Sequence, residues 1–374
     1  MRREPLIIGA GPAGTAAAIT LARAGHRPIL IERASGPTGK VCGDFLSTDT
    51  IQRLRALGVD PAALGAAKIH CVRLVNGERI AESPLPFPAL GLSRRILDAA
   101  LLGEAERAGA ELRAGQTVRR LTRESGHWTV QTGDSNLFTA ETVFLATGKH
   151  DLRDMPRPRA NQGAIGMKMY FALAPGPAKA LEGAIELILF PGGYAGLQHV
   201  EGGQVVLCVA IQRPRFQAFG GWPGLLAAIA ANSRRFATML SGARPLLPKP
   251  LAVAGIPYGY QVRAAPADGL FRLGDQAAVI PSLTGDGMAI ALHSGAAAAA
   301  AWLTGFDAAA YHMTLRRTLA PQMRLASLLH YACMSAAIQA AAIRTAALFP
   351  ALLRQAASHT RIRPYGADRP PSRG

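Results

Sequence analysis

Three glycines near the start of the chain have the spacing of a phosphate-binding turn. Gly9, Gly11 and Gly14 follow a short apolar run and open an alanine-rich stretch, with Pro12 and Ala13 between them. The first glycine permits the tight turn, the second lets the backbone approach a pyrophosphate, and the third lets the helix pack on the strand. Free N–H groups at the helix N-terminus would then face the phosphates. This spacing predicts a dinucleotide-binding strand–turn–helix unit.

An acidic residue supports the same interpretation. Glu32 ends the next buried strand, close to the offset of about 20 residues expected for an acid that binds ribose hydroxyls. Arg33 follows it, and we expect both residues to lie at the cofactor. The alternative is an ordinary turn between a strand and a helix.

A second glycine-rich stretch lies far along the chain. Asp275 follows Gly274 at the end of a buried strand, where its carboxylate can accept hydrogen bonds from ligand hydroxyls. Gly285 and Gly287 lack Cβ atoms, so a flat ring can lie against the backbone where a helix begins. The positive end of that helix favours an anionic ring. The same stretch supplies three more candidate cofactor-binding residues: Pro281, Asp286 and Met288.

Together these motifs resemble the flavoprotein superfamily of p-hydroxybenzoate-hydroxylase-type monooxygenases, geranylgeranyl reductases and flavin-dependent halogenases, from Pro5 to about Gly295. The resemblance implies FAD as the cofactor. Arg94 matches the family's Arg-x-x-Leu-Asp arginine, which implies contact with the FAD phosphates. Thr147 and Gly148 lie where hydroxylases carry an Asp-Gly motif, which is absent here. The electron donor is therefore left open between NAD(P)H acting directly and a partner reductase.

Three residues are candidates for catalysis. Cys42 lies where geranylgeranyl reductases carry a Cys-Gly-Gly segment near the flavin, so it is a candidate for both cofactor binding and catalysis. Tyr194 and Gln198 occupy the region of the superfamily's active-site strand and would face the substrate above the flavin. The alternatives are a small buried residue for Cys42 and a core aromatic for Tyr194. The halogenase Trp-x-Trp-x-Ile-Pro motif is absent, and Lys168 has no assigned role.

The order of elements predicts an α/β fold. We expect a three-layer FAD-binding domain of the glutathione-reductase Rossmann type, formed by residues 1–155 and 262–320. A mainly antiparallel β-sheet domain for the substrate is inserted at 156–261, and part of 60–92 is an alternative addition to it. Residues 321–374 form a helical C-terminal region and tail.

The predicted function is FAD-dependent oxidoreduction. A monooxygenase acting on a bulky apolar or aromatic small molecule of polyketide or isoprenoid type comes first, because the three motifs occur in the expected order. One alternative is a geranylgeranyl-reductase-like enzyme that reduces a carbon–carbon double bond. The other is a non-catalytic FAD-binding protein associated with a membrane.

Composition limits the remaining classes. The four cysteines are scattered without CxxC spacing, which favours reduced thiols and predicts no metal site. The formal net charge is +17, yet no basic run interleaves with aromatics, so we expect no nucleic-acid partner. No signal peptide is predicted, and the cytoplasm is the expected location. The apolar run Leu325–Ile343 predicts either a packed helix or peripheral contact with the inner face of a membrane.

Overall fold

A computed structural model describes residues 4–158, 164–263 and 268–362. The strands are β1 (Leu6–Ile8), β2 (Ile29–Ile31), β3 (Phe45–Leu46), β4 (Ala67–Asn76), β5 (Arg79–Gly91), β6 (Glu111–Arg113), β7 (Val118–Glu124), β8 (His127–Thr132), β9 (Leu137–Ala140), β10 (Val143–Leu145), β11 (Ala164–Ala172), β12 (Ala184–Phe190), β13 (Gly193–His199), β14 (Val205–Gln212), β15 (Arg244–Pro245), β16 (Leu251–Ile256) and β17 (Leu270–Arg272). The helices are α1 (Pro12–Arg23), α2 (Thr48–Ala56), α3 (Arg94–Ala108), α4 (Pro175–Leu181), α5 (Arg213–Ala218), α6 (Trp222–Asn232), α7 (Arg234–Leu240), α8 (Gly287–Leu303), α9 (Ala308–Met334), α10 (Ala336–Leu348) and α11 (Ala351–His359).

One sheet of the protein has five parallel strands in the order β17-β10-β1-β2-β6. Its strands are apolar on both faces, as expected for a sheet covered on both sides. Ile7, Phe144 and Phe271 face the helices α1, α3 and α8 in one core cluster. Leu6 and Val143 face the opposite way, into the core under the antiparallel sheet β7-β8-β9. Helices, parallel sheet and small antiparallel sheet therefore form the three predicted layers.

A second sheet has nine strands. Eight follow the order β15-β11-β14-β13-β12-β4-β5-β3, and the ninth, β16, pairs with β11. This sheet is antiparallel except where β12 runs parallel to β4. One face packs on helices α6 and α7 through a core that includes Leu225 and Phe236. The other face is turned toward the parallel-sheet layers and the C-terminal helices. The fold class is thus confirmed.

Two of these elements, α3 and β5, have local features that explain where they begin or how they pair. Ser93 caps α3, because its hydroxyl accepts a hydrogen bond from the N–H of Ile96. The sequence pattern did not predict strand β5, because it contains Pro84, Pro86 and Pro88, and proline is rare inside strands. These prolines lie where the β4–β5 register shifts. The domain boundaries stay a prediction. Nevertheless β4 and β5, within residues 60–92, belong to the nine-stranded sheet.

The C-terminal run Leu325–Ile343 is not one helix. It spans the junction of α9 and α10, which meet at Ser335 with a bend of 109°. Helix α10 packs on the nine-stranded sheet through Ile343 and Ala346, beside Leu189 and Tyr194. In the described part of the chain no single helix meets the length and hydropathy needed to cross a bilayer, whereas the bent pair α9–α10 meets them jointly.

Candidate functional site

The N-terminal glycine turn has the close packing that its sequence predicted. Gly9 has φ +104°, and a Cβ there would lie 2.5 Å from the carbonyl oxygen of Ala146. A Cβ on Gly14 would lie 1.9 Å from the carbonyl oxygen of Gly9, so only glycine fits. A Cβ on Gly11, in contrast, would meet nothing nearer than the Arg94 guanidinium at 3.6 Å. The backbone at Gly11 is therefore open to a ligand.

Glu32 fixes the loops beside this turn. Its carboxylate accepts hydrogen bonds from the N–H of Ala10 (2.8 Å) and the N–H of Ala34 (3.0 Å). Arg33 is exposed next to it. The predicted contact of both residues with ribose stays a prediction.

The second glycine stretch lies against the first. A Cβ on Gly295 of α8 would lie 2.1 Å from the carbonyl oxygen of Ala13, so α8 and α1 cross in direct backbone contact. Gly285 has φ +73°, and a Cβ on Gly287 would meet no atom within 4 Å. Both helix N-termini therefore present open backbone to the same space.

That space is a single cavity of about 650 Å³. Its wall includes most of the predicted site residues: Gly11, Pro12, Ala13, Cys42, Arg94, Gly148, Tyr194, Gln198, Gly274, Asp275, Gly285, Gly287 and Met288. Gly11 and Gly287 leave their backbone open because they lack Cβ atoms, and both border this one cavity. This arrangement fits FAD. The cofactor-binding role of each residue stays a prediction.

Three further predicted residues are not among those that line the wall. The Thr147 hydroxyl donates to the carbonyl of His150 (2.7 Å), and Pro281 is buried. Asp286 is fully buried and forms an ion pair with Arg361. Burial raises the pKa of the Asp286 carboxyl to about 7 despite that arginine. Asp286 thus ties the start of α8 to the C-terminal segment.

Lys149 directly follows Gly148, at the place where hydroxylases carry the Asp-Gly motif, and it lines the cavity. Lys149 Nζ lies 3.2 Å from Asp275 Oδ2, and both residues line the wall. Burial opposes the charge on Lys149, but the attraction of Asp275 together with smaller contributions from Cys42 and Tyr258 outweighs it, so the pKa of the lysine is raised. Asp275 therefore has a protein partner as well as access to ligand hydroxyls.

A buried ionic network supports the Cys42 loop. Lys168 Nζ lies 2.6 Å from Asp44 Oδ2, and both side chains are 0% exposed. The Tyr170 hydroxyl donates to the same oxygen at 2.6 Å, and the N–H of Arg94 donates to Oδ1 at 3.3 Å. Burial raises the pKa of Asp44, although Lys168 and Tyr170 act against that rise. Sequence reasoning missed this network, and its one signal was a lysine inside the apolar strand β11.

The loop that this network holds presents Cys42 to the cavity. Cys42 is half-buried, and its Sγ accepts a hydrogen bond from the N–H of Asp44 (3.5 Å). Arg94 also lines the cavity. Its guanidinium forms a bidentate ion pair with Asp98, with Nε 2.6 Å from Oδ1 and Nη2 2.7 Å from Oδ2. The structure therefore brings Cys42 and Arg94 to the same side of the site.

A cluster of hydroxyl groups also lines the cavity. The hydroxyls of Tyr194 and Tyr258 lie 2.7 and 2.8 Å from Ser282 Oγ. Burial raises the pKa of Tyr258 to about 12, and it raises the pKa of Tyr194 well above its ordinary value. The ring of His330 packs edge-on against both tyrosines, and burial lowers its pKa to about 4. Tyr258, Ser282 and His330 were not predicted, because they come from three separate segments.

Gln198 is the most unusual polar group in the wall. It is 1% exposed, and both its amide oxygen and its amide nitrogen lack a hydrogen-bond partner within the described residues. Strand alternation places Tyr194, Gly196 and Gln198 on the cavity face of β13. A buried amide without a partner is costly, so Gln198 is suited to bind a polar group of a ligand.

Metal ligands do not gather in this site or elsewhere in residues 4–158, 164–263 and 268–362: His, Cys, Asp and Glu form no group of three or more that could hold an ion.

Comparisons with known proteins agree with this geometry. The family described as "FAD binding domain" matches residues 2–143, and the family described as "FAD dependent oxidoreductase" matches residues 91–311. The chain belongs to the FAD dependent oxidoreductase family, and its cofactor is FAD. The resemblance recognised in the motifs is thereby confirmed.

Individual relatives are more distant. The chain is 27% identical to "Menaquinone reductase" of Mycolicibacterium smegmatis over 323 residues, covering 81% of this chain and 77% of that protein. It is 28% identical to "Protein FixC" of Salmonella typhi over 202 residues, which is 49% of this chain and 46% of FixC, so this match spans about half of that relative. The structure of "flavin-dependent brominase Bmp2" has a TM-score of 0.78 at 16% identity, covering 96% of this chain and 93% of that chain. This likeness concerns the fold.

Proposed function

We propose that this protein is a reductase that uses FAD to saturate a carbon–carbon double bond in a long, apolar, isoprenoid-type molecule. The observation that carries the proposal is the cavity, which continues from the FAD-facing glycines to the apolar side chains of α9, α10 and α11. A long apolar molecule could extend along it with one end at the cofactor. The menaquinone reductase that matches over most of both chains supports this choice of substrate class.

The wall offers the groups that such a reaction needs from a protein. Saturating a double bond adds a hydride to one carbon and a proton to the other. FAD, when bound and reduced, supplies the hydride. Tyr194 and Tyr258 hold protons on their Oη atoms throughout the neutral range, because burial raises both pKa values. Ser282 lies between them and can pass a proton from one to the other.

The remaining residues bind and orient. Apolar side chains of the nine-stranded sheet, such as Leu74, Leu187 and Leu189, exclude water from the cavity. The free amide of Gln198 can bind a polar head of the substrate. Cys42 lines the same cavity as the hydroxyl cluster, and its catalytic role stays a prediction of the reductase hypothesis.

An anaerobic single-turnover experiment tests the proposal. Dithionite-reduced protein is mixed with menaquinone in detergent, and the product is analysed by mass spectrometry. After the quinone ring is reoxidised in air, we expect a product whose isoprenoid side chain still carries two additional hydrogens, formed equally well without oxygen during the reaction. A mass gain that disappears on reoxidation would report reduction of the quinone ring alone. A product that gains an oxygen atom, and forms only in air, would contradict the proposal. It would instead show the monooxygenase activity that the sequence analysis placed first.

Two further results complete this test. Bound FAD with no product from any isoprenoid would favour the non-catalytic alternative. Stopped-flow reduction with NADH and NADPH decides the electron donor: rapid bleaching of the flavin shows direct use, and no bleaching points to a partner reductase.

A further inference from the structure

Large exposed apolar side chains concentrate at the C-terminal helices. Of the ten that the described residues contain, six lie between residues 328 and 352. We call them the C-terminal apolar surface: Leu328, Tyr331, Ile338, Leu348, Phe349 and Leu352. Leu348 and Phe349 at the junction of α10 and α11 are 74% and 60% exposed. Exposed apolar residues this concentrated mark an interaction site.

The charge around this surface has one sign. Residues 308–362 contain six arginines and no aspartate or glutamate. Arg361 pairs with Asp286, and the other five are exposed: Arg316, Arg317, Arg324, Arg344 and Arg354. Apolar side chains flanked by arginines match an anionic bilayer, whose headgroups attract the cations while its interior takes the apolar groups.

The cavity opens within this same surface. Ile338 and Leu352 line the cavity wall and are also 48% and 45% exposed. Ala342 and Thr345 of α10 likewise line the wall and are exposed. The far end of the cavity is therefore a mouth between α10 and α11, bordered by apolar side chains.

We infer that the C-terminal apolar surface docks on an anionic lipid bilayer, and that the mouth at Ile338 and Leu352 admits an apolar substrate directly from the lipid. Docking itself stands apart from the proposed reaction, whereas the role of the mouth rests on that proposed function. The chemistry of the surface selects lipid over a protein partner, because every charged side chain of residues 308–362 is cationic and the cavity behind the mouth is lined mainly by apolar side chains.

Vesicle flotation tests the docking. Purified holoprotein is centrifuged through a density gradient with phosphatidylcholine vesicles, or with vesicles of two parts phosphatidylcholine to one part phosphatidylglycerol. We expect flotation with the anionic vesicles. Leu348→Ser/Phe349→Ser should lower the partition coefficient at least about tenfold, from the lost apolar burial. Arg344→Glu/Arg354→Glu should lower it by about fivefold or more for each arginine removed.

Matched controls lie on the small antiparallel sheet. Leu137→Ser removes a leucine that is 66% exposed, and Arg119→Glu/Arg120→Glu reverses two exposed charges on β7. Both controls should float like the unaltered protein. Protein that does not float with anionic vesicles, or floats equally after Leu348→Ser/Phe349→Ser, overturns the docking. So does a dimer in light scattering that this same pair of changes dissociates, because a second copy would then cover the surface.

A fluorescence measurement tests the mouth without any turnover. Leu352→Trp places an indole at the mouth, and Leu137→Trp is its control. Vesicles with brominated acyl chains should lower the fluorescence added by the first tryptophan about twofold and leave that of the second unchanged. Flotation without quenching at residue 352 would overturn entry through the mouth and leave the proposed reaction to its own test.

Discussion

Replacing Lys168 with methionine should destabilise the protein in a way that depends on pH. The change removes the cation 2.6 Å from the buried carboxylate of Asp44. Two weaker donors remain, the Tyr170 hydroxyl and the N–H of Arg94. Breaking a buried pair by removing one partner costs about 3–5 kcal/mol. Asp44 can limit this cost by binding a proton.

The pH dependence follows from that proton. Burial already raises the pKa of Asp44 above its ordinary 3.8, and loss of Lys168 raises it further. The folded variant then holds a proton that the unfolded chain releases, so stability falls as pH rises above about 4. At about 1.4 kcal/mol per pH unit, the proton can make the loss at pH 5 up to about 3 kcal/mol smaller than the loss at pH 7.

Urea unfolding followed by circular dichroism at pH 5 and pH 7 measures both quantities. Asp44→Asn/Lys168→Met should recover much of the loss and show no such pH dependence, since no carboxylate is left unpaired. Lys149→Met is the matched control: its partner Asp275 is partly exposed, so about 1 kcal/mol or less is expected. A loss for Lys168→Met that is equal at both pH values would refute the reasoning.

Three other changes test separate parts of the site. Gly11→Ala should fold normally yet bind FAD at least about tenfold more weakly by fluorescence titration, whereas Gly14→Ala should lower the melting temperature because its Cβ has no space. Tyr258→Phe should slow anaerobic reduction by about 10²-fold; the unaltered protein should keep a constant rate from pH 6 to 9, because that hydroxyl has a pKa of about 12. An unchanged rate would exclude this hydroxyl as the proton donor. Arg361→Met should destabilise the protein more at pH 8 than at pH 5, because Asp286, with a pKa raised to about 7, must then ionise without its partner; equal losses in urea unfolding would contradict this.

The residues that hold the cofactor segments could be found from the sequence because their constraints are local. Gly9 and Gly14 are required by a turn and a helix only a few residues apart. Gly285 and Gly287 belong to an equally local strand–turn–helix pattern. Local backbone geometry leaves a regular spacing in the chain, and that spacing sufficed to predict a dinucleotide-binding unit; the resemblance to known flavoproteins then implied FAD.

The substrate side of the site depends on distant segments. Tyr194, Tyr258, Ser282 and His330 come from a sheet strand, two loops and helix α9, and no spacing connects them. Lys168 is recognisable as half of an ion pair only once β11 lies against the loop of Asp44. The sequence by itself determined the class of fold and the cofactor, since backbone turns are encoded within short segments. Only the tertiary structure decided which side chains share the cavity, because that depends on packing between surfaces hundreds of residues apart.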